Sequence, residues 1–278
     1  MTSLLWVSDP HLNFINDQEI LRWAVNLSRV DEEAEGLLIT GDISEAPFLH
    51  STLQAIVEGF ANPVYFITGN HDYFKGSWGG VDGALREFVK ETKNLFWLED
   101  SSALVGGVPL VGTSGWYDAI YGSTDSSIAL ADFRLIQDFS YLPKDLIIDT
   151  CKTRAKKLAM SMRDRLWKAA ESSPEAILVA SHVAPFPEVS FYHGEPSDRY
   201  YLPWYASAYL GSVLDEASDQ FPDIKFKSFC GHSHGGVFSR HKPNLDCFSG
   251  QAQYYFPAPA GIIDLETLEV LMSTQVKV

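Results

Sequence analysis

The chain has 278 residues, 46% of them hydrophobic, enough to bury a sizeable core in one large domain or two small ones. Acidic residues outnumber basic ones 36 to 21, a formal charge of -15 that disfavours bulk, sequence-independent binding to duplex nucleic acid. Its three cysteines, Cys151, Cys230 and Cys247, form no C-x-x-C pair and argue against a secreted, disulfide-stapled scaffold.

Taken in chain order, short apolar runs alternate with helical stretches, the pattern of an α/β domain. A buried strand is predicted at 4–8, ending in Asp9-Pro10-His11. The chain reaches this core strand without a basic leader, and no apolar run approaches the ~20 residues needed to cross a bilayer, so a cytoplasmic protein with no membrane partner is expected. A helix at 17–29 follows, with Ile20, Leu21, Ala24, Val25 and Leu27 as its apolar stripe. A strand at 36–40 leads into Gly41-Asp42, a helix is predicted at 49–60, and a strand at 64–68 ends at Gly69-Asn70-His71-Asp72. A helix at 81–93 and short strands at 95–98 and 110–113 come next. The stretch 118–170 reads as helical for much of its length, most clearly at 148–171, giving a helical insertion of about 118–171. A strand at 177–180 runs into Ser181-His182, and another at 226–229 into Gly231-His232-Ser233-His234. Segments 237–238, 260–264 and 270–272 read as hairpins closing a second sheet. The expected fold is therefore α/β, a two-sheet β-sandwich flanked by helices, in a single domain over 1–278 because no linker divides it.

Polar residues follow directly on these strands, and in open α/β sheets sites form at the carboxyl ends of strands. Alternate residues of an extended backbone point to one side, so Asp9 and His11 are expected to meet one ion, and His232 and His234 repeat that spacing. Carboxylate and imidazole together suit manganese, iron or zinc, with magnesium or nickel as further candidates. Taken singly, each block also fits a turn or a helix cap.

The five blocks in this order closely resemble the calcineurin-like metallophosphoesterase superfamily. That resemblance implies a four-layer architecture and two divalent or trivalent metal ions. It places Asp9, His11 and His234 on one metal, Asp42 as the bridge, and Asn70, His182 and His232 on the other. His71 would face the substrate as general acid, with its neighbour Asp72 as a candidate orienting partner. Two cations ~3.5–4 Å apart can clamp a phosphate and hold a bridging hydroxide, so metal-dependent hydrolysis of a small-molecule phosphate ester is implied. After Asp42 the chain continues Ile43-Ser44-Glu45-Ala46, without the Asp-Arg-Gly of the superfamily's protein phosphatases. A phosphate-gripping arginine is absent from that place, and a phosphodiesterase is expected ahead of a phosphomonoesterase.

Substrate choice is expected to lie in the segments between the blocks. Residues 184–209 hold His193, Arg199, Tyr200 and several further aromatics, which either stack a base and hold a phosphate or cover the core. Trp116 either reaches the cleft or packs a turn. Among rivals, a nuclease lacks a basic track here, a non-catalytic binding module would normally lack ligands or His71, and a metallo-hydrolase of carbon esters would carry a His-x-His-x-Asp-His run.

Overall fold

The computed structural model describes residues 2–125 and 128–273. Residues 126–127 of the expected insertion, and residues 1 and 274–278 of the expected domain, lie outside the described residues. The elements, in order, are β1 (Ser3–Val7), α1 (Asp17–Val30), β2 (Ala34–Thr40), α2 (Ala46–Gly59), β3 (Val64–Ile67), α3 (Trp78–Glu91), β4 (Leu95–Trp97), β5 (Ser102–Val105) and β6 (Val108–Thr113). They continue with α4 (Asp132–Leu135), α5 (Lys144–Ala170), β7 (Ala176–Ser181), β8 (Phe191–Tyr192), β9 (Glu195–Pro196), α6 (Leu202–Tyr205) and α7 (Ala208–Gln220). The last are β10 (Lys225–Cys230), β11 (Val237–Lys242), β12 (Leu245–Ser249), β13 (Pro259–Asp264) and β14 (Val270–Met272).

Among the described residues twelve strands form two six-stranded sheets, ordered β14-β13-β1-β2-β3-β4 and β11-β12-β10-β7-β6-β5, and β8 pairs with β9 in a separate ribbon. Strands β1 to β4 are mutually parallel, as are β6, β7, β10 and β12. The central ones, such as β1, β2, β3 and β7, are buried on both faces and read as nearly unbroken apolar runs. Leu4 and Trp6 of β1 face the other sheet and meet Leu178, Phe229 and Phe248, with Trp6 edge-on to Phe229 at 5.1 Å. Leu5 and Val7 point the opposite way, into a core shared with Ile20, Leu27, Leu53 and Ile56 of α1 and α2. The outer face of the second sheet, with Ile177, Val179 and Phe226, is covered by Met162, Leu166, Leu210 and Leu214 of α5 and α7. The result is the expected sandwich of two sheets between helices. No helix among the described residues is long and apolar enough to cross a membrane.

Two expectations need correction. The 260–264 and 270–272 hairpin joins the first sheet, not the second, because β13 pairs antiparallel with the edge of β1 that β2 leaves open. The hairpin on the second sheet is β11 with β12, and β12 was not anticipated. Much of the 118–170 stretch is helical as expected, but among the described residues the helix lies in α4, a 3-10 turn at Gln137–Phe139 and α5, and not in the first part. Its first part instead bonds to the chain near α6, with the Ala119 N–H donating to Pro203 O at 3.0 Å and the Ser123 N–H to Arg199 O at 2.7 Å. Gly122 (φ 75) allows this approach, since a Cβ there would collide with Arg199 O.

Helix ends follow local chemistry. Asn16 and Glu19 form a reciprocal capping box at the start of α1. Ser207 caps α7, which the sequence reading missed, and its hydroxyl also donates to the buried Asp118 at 3.1 Å.

Candidate metal centre

Five parallel strands end on one rim: β1, β2 and β3 from the first sheet, β7 and β10 from the second. Their registers are level there, with Val7 beside Ile39, Ile39 beside Phe66, and Ala180 beside Phe229. Each strand therefore delivers its following polar block to the same place.

The backbone within those blocks is not extended, contrary to the reasoning from alternate residues. Asp9, His11, Asp42, His232 and His234 have φ of 47°, 45°, 49°, 68° and 61°. Left-handed residues other than glycine are strained, and they persist where surrounding bonds over-determine them. Here the His11 N–H donates to Asp42 O at 2.9 Å, and the His232 N–H to Asp9 Oδ1 at 2.8 Å. Close approach also explains two glycines. A Cβ on Gly69 would strike Asp42 Oδ1, and one on Gly231 would strike Asp9 Oδ2.

Two donor groups result. Asp9, His11, Asp42 and His234 each offer a ligand atom within 4.8 Å of the others, and Asp42, His182 and His232 do the same. Asp42 belongs to both groups, the arrangement of a dinuclear site.

The hydrogen bonds show which ring atoms face inward. His182 Nδ1 lies 2.9 Å from Thr40 O, and His232 Nε2 lies 2.9 Å from Trp204 O. A carbonyl only accepts, so each of these nitrogens carries its ring proton. His182 Nε2 is left facing Asn70 Oδ1 at 2.9 Å, His232 Nδ1 at 3.2 Å and Asp42 Oδ1 at 3.3 Å. In the other group, His11 Nε2 and His234 Nε2 approach to 3.1 Å, with Asp42 Oδ2 3.7 Å from His11 and Asp9 Oδ1 3.8 Å from His234. Acceptors thus converge on two points with too few protons between them, and cations fit both points. Imidazoles anchored by backbone carbonyls are the usual support for metal ligands.

Electrostatics agrees. Burial holds His11 well below its ordinary value, and burial with the nearby His182 lowers His232 to about 3. Both rings are neutral, the form that binds metal. Burial would raise Asp42, but His182, His71 and His11 bring it below the carboxylate range. Burial raises Asp9. It would lower His182, yet the carboxylates of Asp42 and Asp9 raise that ring overall, so they attract positive charge at its position.

His71 stands beside the centre. Its ring stacks on Phe74 at 4.2 Å and meets His11 edge-on at 4.7 Å, with Nε2 3.9 Å from Asp42 Oδ2. Its side chain is 21% exposed, against 2% for Asp42. Asp72 does not bond to His71. Its carboxylate accepts from the N–H groups of Ile43 (2.9 Å), Ser44 (2.8 Å) and Gly69 (2.7 Å), tying the loop after β2 to the loop after β3. Burial and Asp42 push this carboxyl up to about 8, against the pull of those amides.

The candidate substrate residues are scattered. Trp116 is buried, 1% exposed, in a cluster with Trp78, Tyr73 and the Arg154 guanidinium, so it packs the core rather than the cleft. Arg199 and Tyr200 are exposed and pack on each other at 4.9 Å. His193, at the tip between β8 and β9, does line a cleft of about 750 Å³ that opens at His234, together with Tyr192, Gln251, Gln253 and Tyr254. Neither Arg199 nor Tyr200 lines it. Sequence reasoning missed Tyr254, whose ring lies 4.4 Å from His11 and 5.0 Å from His234. Burial, with Asp42 and Asp9 nearby, raises its phenol well above the ordinary value, so it stays a donor. The only local signal was the aromatic loop Tyr254-Tyr255-Phe256, which lacks strand alternation.

Fold and centre together define a metallophosphoesterase. The family model for calcineurin-like phosphoesterases matches residues 2–236, and the chain belongs to that family. Among solved structures, a phosphopantetheinyl hydrolase from Mycobacterium tuberculosis superposes with a TM-score of 0.65 at 14% identity, covering 91% of this chain and 90% of that one. A dimetal phosphatase from Danio rerio gives 0.58 at 12% identity, covering 94% and 91%. At these identities the likeness is one of fold. No curated protein sequence matches the chain significantly.

Proposed function

We propose that the chain is a two-metal hydrolase of small-molecule phosphodiesters, with His71 as the proton donor to the departing oxygen. The observation that carries this reading is the pair of donor groups sharing Asp42, with the partly exposed His71 ring beside them.

Asp9, His11 and His234 would hold one cation, Asn70, His182 and His232 the other, and Asp42 would bridge. Carboxylate with imidazole and one neutral amide oxygen suits manganese, iron or zinc. Bound there, two cations would supply the charge that polarises a phosphoryl group and acidifies water. The remaining work belongs to side chains. Phe74 fixes the plane of the His71 ring, and the backbone N–H of His71 donates to Asp42 Oδ1 at 2.9 Å, so ring and bridging carboxylate keep a set separation. A protonated His71 at this place can hand its proton to an alkoxide leaving group. The retained Thr40 and Trp204 carbonyl bonds keep His182 and His232 aimed inward throughout.

The preference for diesters rests on charge. A monoester dianion carries a second negative charge, and among the described residues no lysine or arginine lines the cleft at His234 to meet it. The acidic chain adds no general attraction for polyanions.

The test is hydrolysis of bis-p-nitrophenyl phosphate and p-nitrophenyl phosphate after manganese loading, with His71→Ala and Asp42→Asn alongside. Diester turnover exceeding monoester turnover, and falling at least ~100-fold in Asp42→Asn, is the expected result; His71→Ala should lose less on these esters, since p-nitrophenolate departs without a proton, and at least ~100-fold on a diester with an alkyl leaving group. Faster monoester turnover would make the chain a phosphatase. Absence of both activities with two ions bound would remove the hydrolase reading. A phosphopantetheinyl ester, after the group named for the M. tuberculosis protein, belongs in the same panel.

A further inference from the structure

We infer that the cleft between the β8–β9 tip and the 251–254 loop is a subsite for an uncharged planar ring carried on the arm of the diester that stays attached to phosphorus. This rests on the phosphodiesterase reading and adds a substrate class to it.

Position decides which arm the cleft takes. Across the centre the rings run His71, His11, His234, with centroids 4.7 Å and then 5.0 Å apart. The cleft opens at His234 and is not lined by His71, whose ring lies 6.4 Å from that of Tyr254 against 5.0 Å for His234. A leaving group protonated by His71 departs on the His71 side, so the arm that remains is the one directed past His234.

Chemistry decides what that arm is. The lining side chains are mostly aromatic or neutral amides, Phe191, Tyr192, His193 and Tyr254 with Gln251 and Gln253, beside Val237, Ala252 and His234, and among the described residues no Lys, Arg, Asp or Glu joins them. Aromatic faces without a charge partner suit a flat, neutral ring. The two glutamines offer donors and acceptors to its polar edge. Tyr192 is 47% exposed and Tyr254 39%, and among the described residues neither hydroxyl has a hydrogen-bond partner, so both have apolar face and polar tip available. Tyr254 reaches from this cleft to the centre, since its ring also packs on His11 and His234. A ring seated there would therefore be continuous with the phosphoryl position. A volume of about 750 Å³ accommodates a ring with a sugar-sized spacer.

The experiment compares two diesters with the same p-nitrophenolate leaving group, thymidine 5′-p-nitrophenyl phosphate and methyl p-nitrophenyl phosphate, on the manganese-loaded full chain. The wild type is expected to show a kcat/KM about ten-fold or more higher for the thymidine diester, the order expected for one stacked ring. Tyr192→Ala should remove most of that gain by raising KM for the thymidine diester, with kcat within about two-fold and the methyl diester unaffected, because stacking remote from the reacting atoms is uniform binding. Gln251→Ala should narrow the gain further. Equal kcat/KM for both diesters in the wild type, or a gain unchanged in Tyr192→Ala and Gln251→Ala, overturns the inference alone. Failure to cleave even the methyl diester takes down the phosphodiesterase reading, and the inference with it.

Discussion

Asp72 and His71 are neighbours in sequence with opposite surroundings. His71 keeps an exposed edge beside the centre, whereas Asp72 is fully buried and saturated by three amide donors. Removing those acceptors strands buried N–H groups, each costing on the order of 1–3 kcal/mol. Asp72→Ala is therefore expected to lose about 3 kcal/mol or more in urea unfolding and to weaken metal binding, since Asp42 directly precedes the Ile43 and Ser44 amides it holds. A variant with wild-type urea midpoint but depressed kcat would instead make Asp72 an orienting partner of His71. The sequence showed Gly-Asn-His-Asp as a block but not which way its last carboxylate turns. Adjacent side chains on a tight turn diverge, and the amides of Ile43, Ser44 and Gly69 draw Asp72 away from His71.

At the scale of elements, the edge of the second sheet shows how cross-strand chemistry supports what the hydrophobic pattern leaves open. Asp246 on β12 accepts from Lys227 on β10 at 2.8 Å and from Arg240 on β11 at 2.9 Å. Burial alone would raise this carboxyl, but the bonds from Arg240 and Lys227 bring it below its ordinary 3.8. A depressed folded value stabilises the protein above the unfolded value and loses that effect as pH falls through the folded one. Asp246→Asn should thus lower stability at pH 7 by about 0.5–1 kcal/mol, discounted because the Arg240 side chain is largely exposed. The deficit should shrink in urea melts as the pH drops below 3.8. A deficit that is constant with pH would show that the carboxylate's charge is not the cause. Strand β12 escaped the sequence reading because its Asp246 interrupts the apolar run, although in the sheet it is buried along with Leu245, Cys247 and Phe248. Helix α7 escaped for a different reason: it follows the aromatic 191–205 stretch, and only the cap at Ser207 marks its start.

For the molecule as a whole, the centre joins the two sheets. Asp9, Asp42 and Asn70 follow strands of the first sheet, and His182 and His232 follow strands of the second. Ions bound between them act on the folded chain alone, so chelation should reduce stability by mass action, about 2.7 kcal/mol at a free metal concentration 100 times Kd. For a chain of this size that corresponds to a fall in Tm of roughly 5–10 °C on adding EDTA, restored by manganese. Calorimetry with and without chelator is the measurement. An unchanged Tm, with metal shown to leave, would mean that the two halves hold together without it.

The sequence by itself determined the strands that build the rim and the polar blocks that follow them. Both are local: an apolar run buried on two faces must be a core strand, and Asp, Asn and His directly after it must sit at its end. Tertiary structure alone decided the rest. It bent Asp9, His11, His232 and His234 into left-handed turns rather than an extended row, since each is held by a bond to a loop from another strand. It placed the last hairpin on the first sheet, because an open edge is a property of the assembled sheet. It also brought Tyr254 over His11 from a loop with no motif, and sent Trp116 into the core, since packing contacts between residues far apart in the chain leave no periodic trace in the sequence.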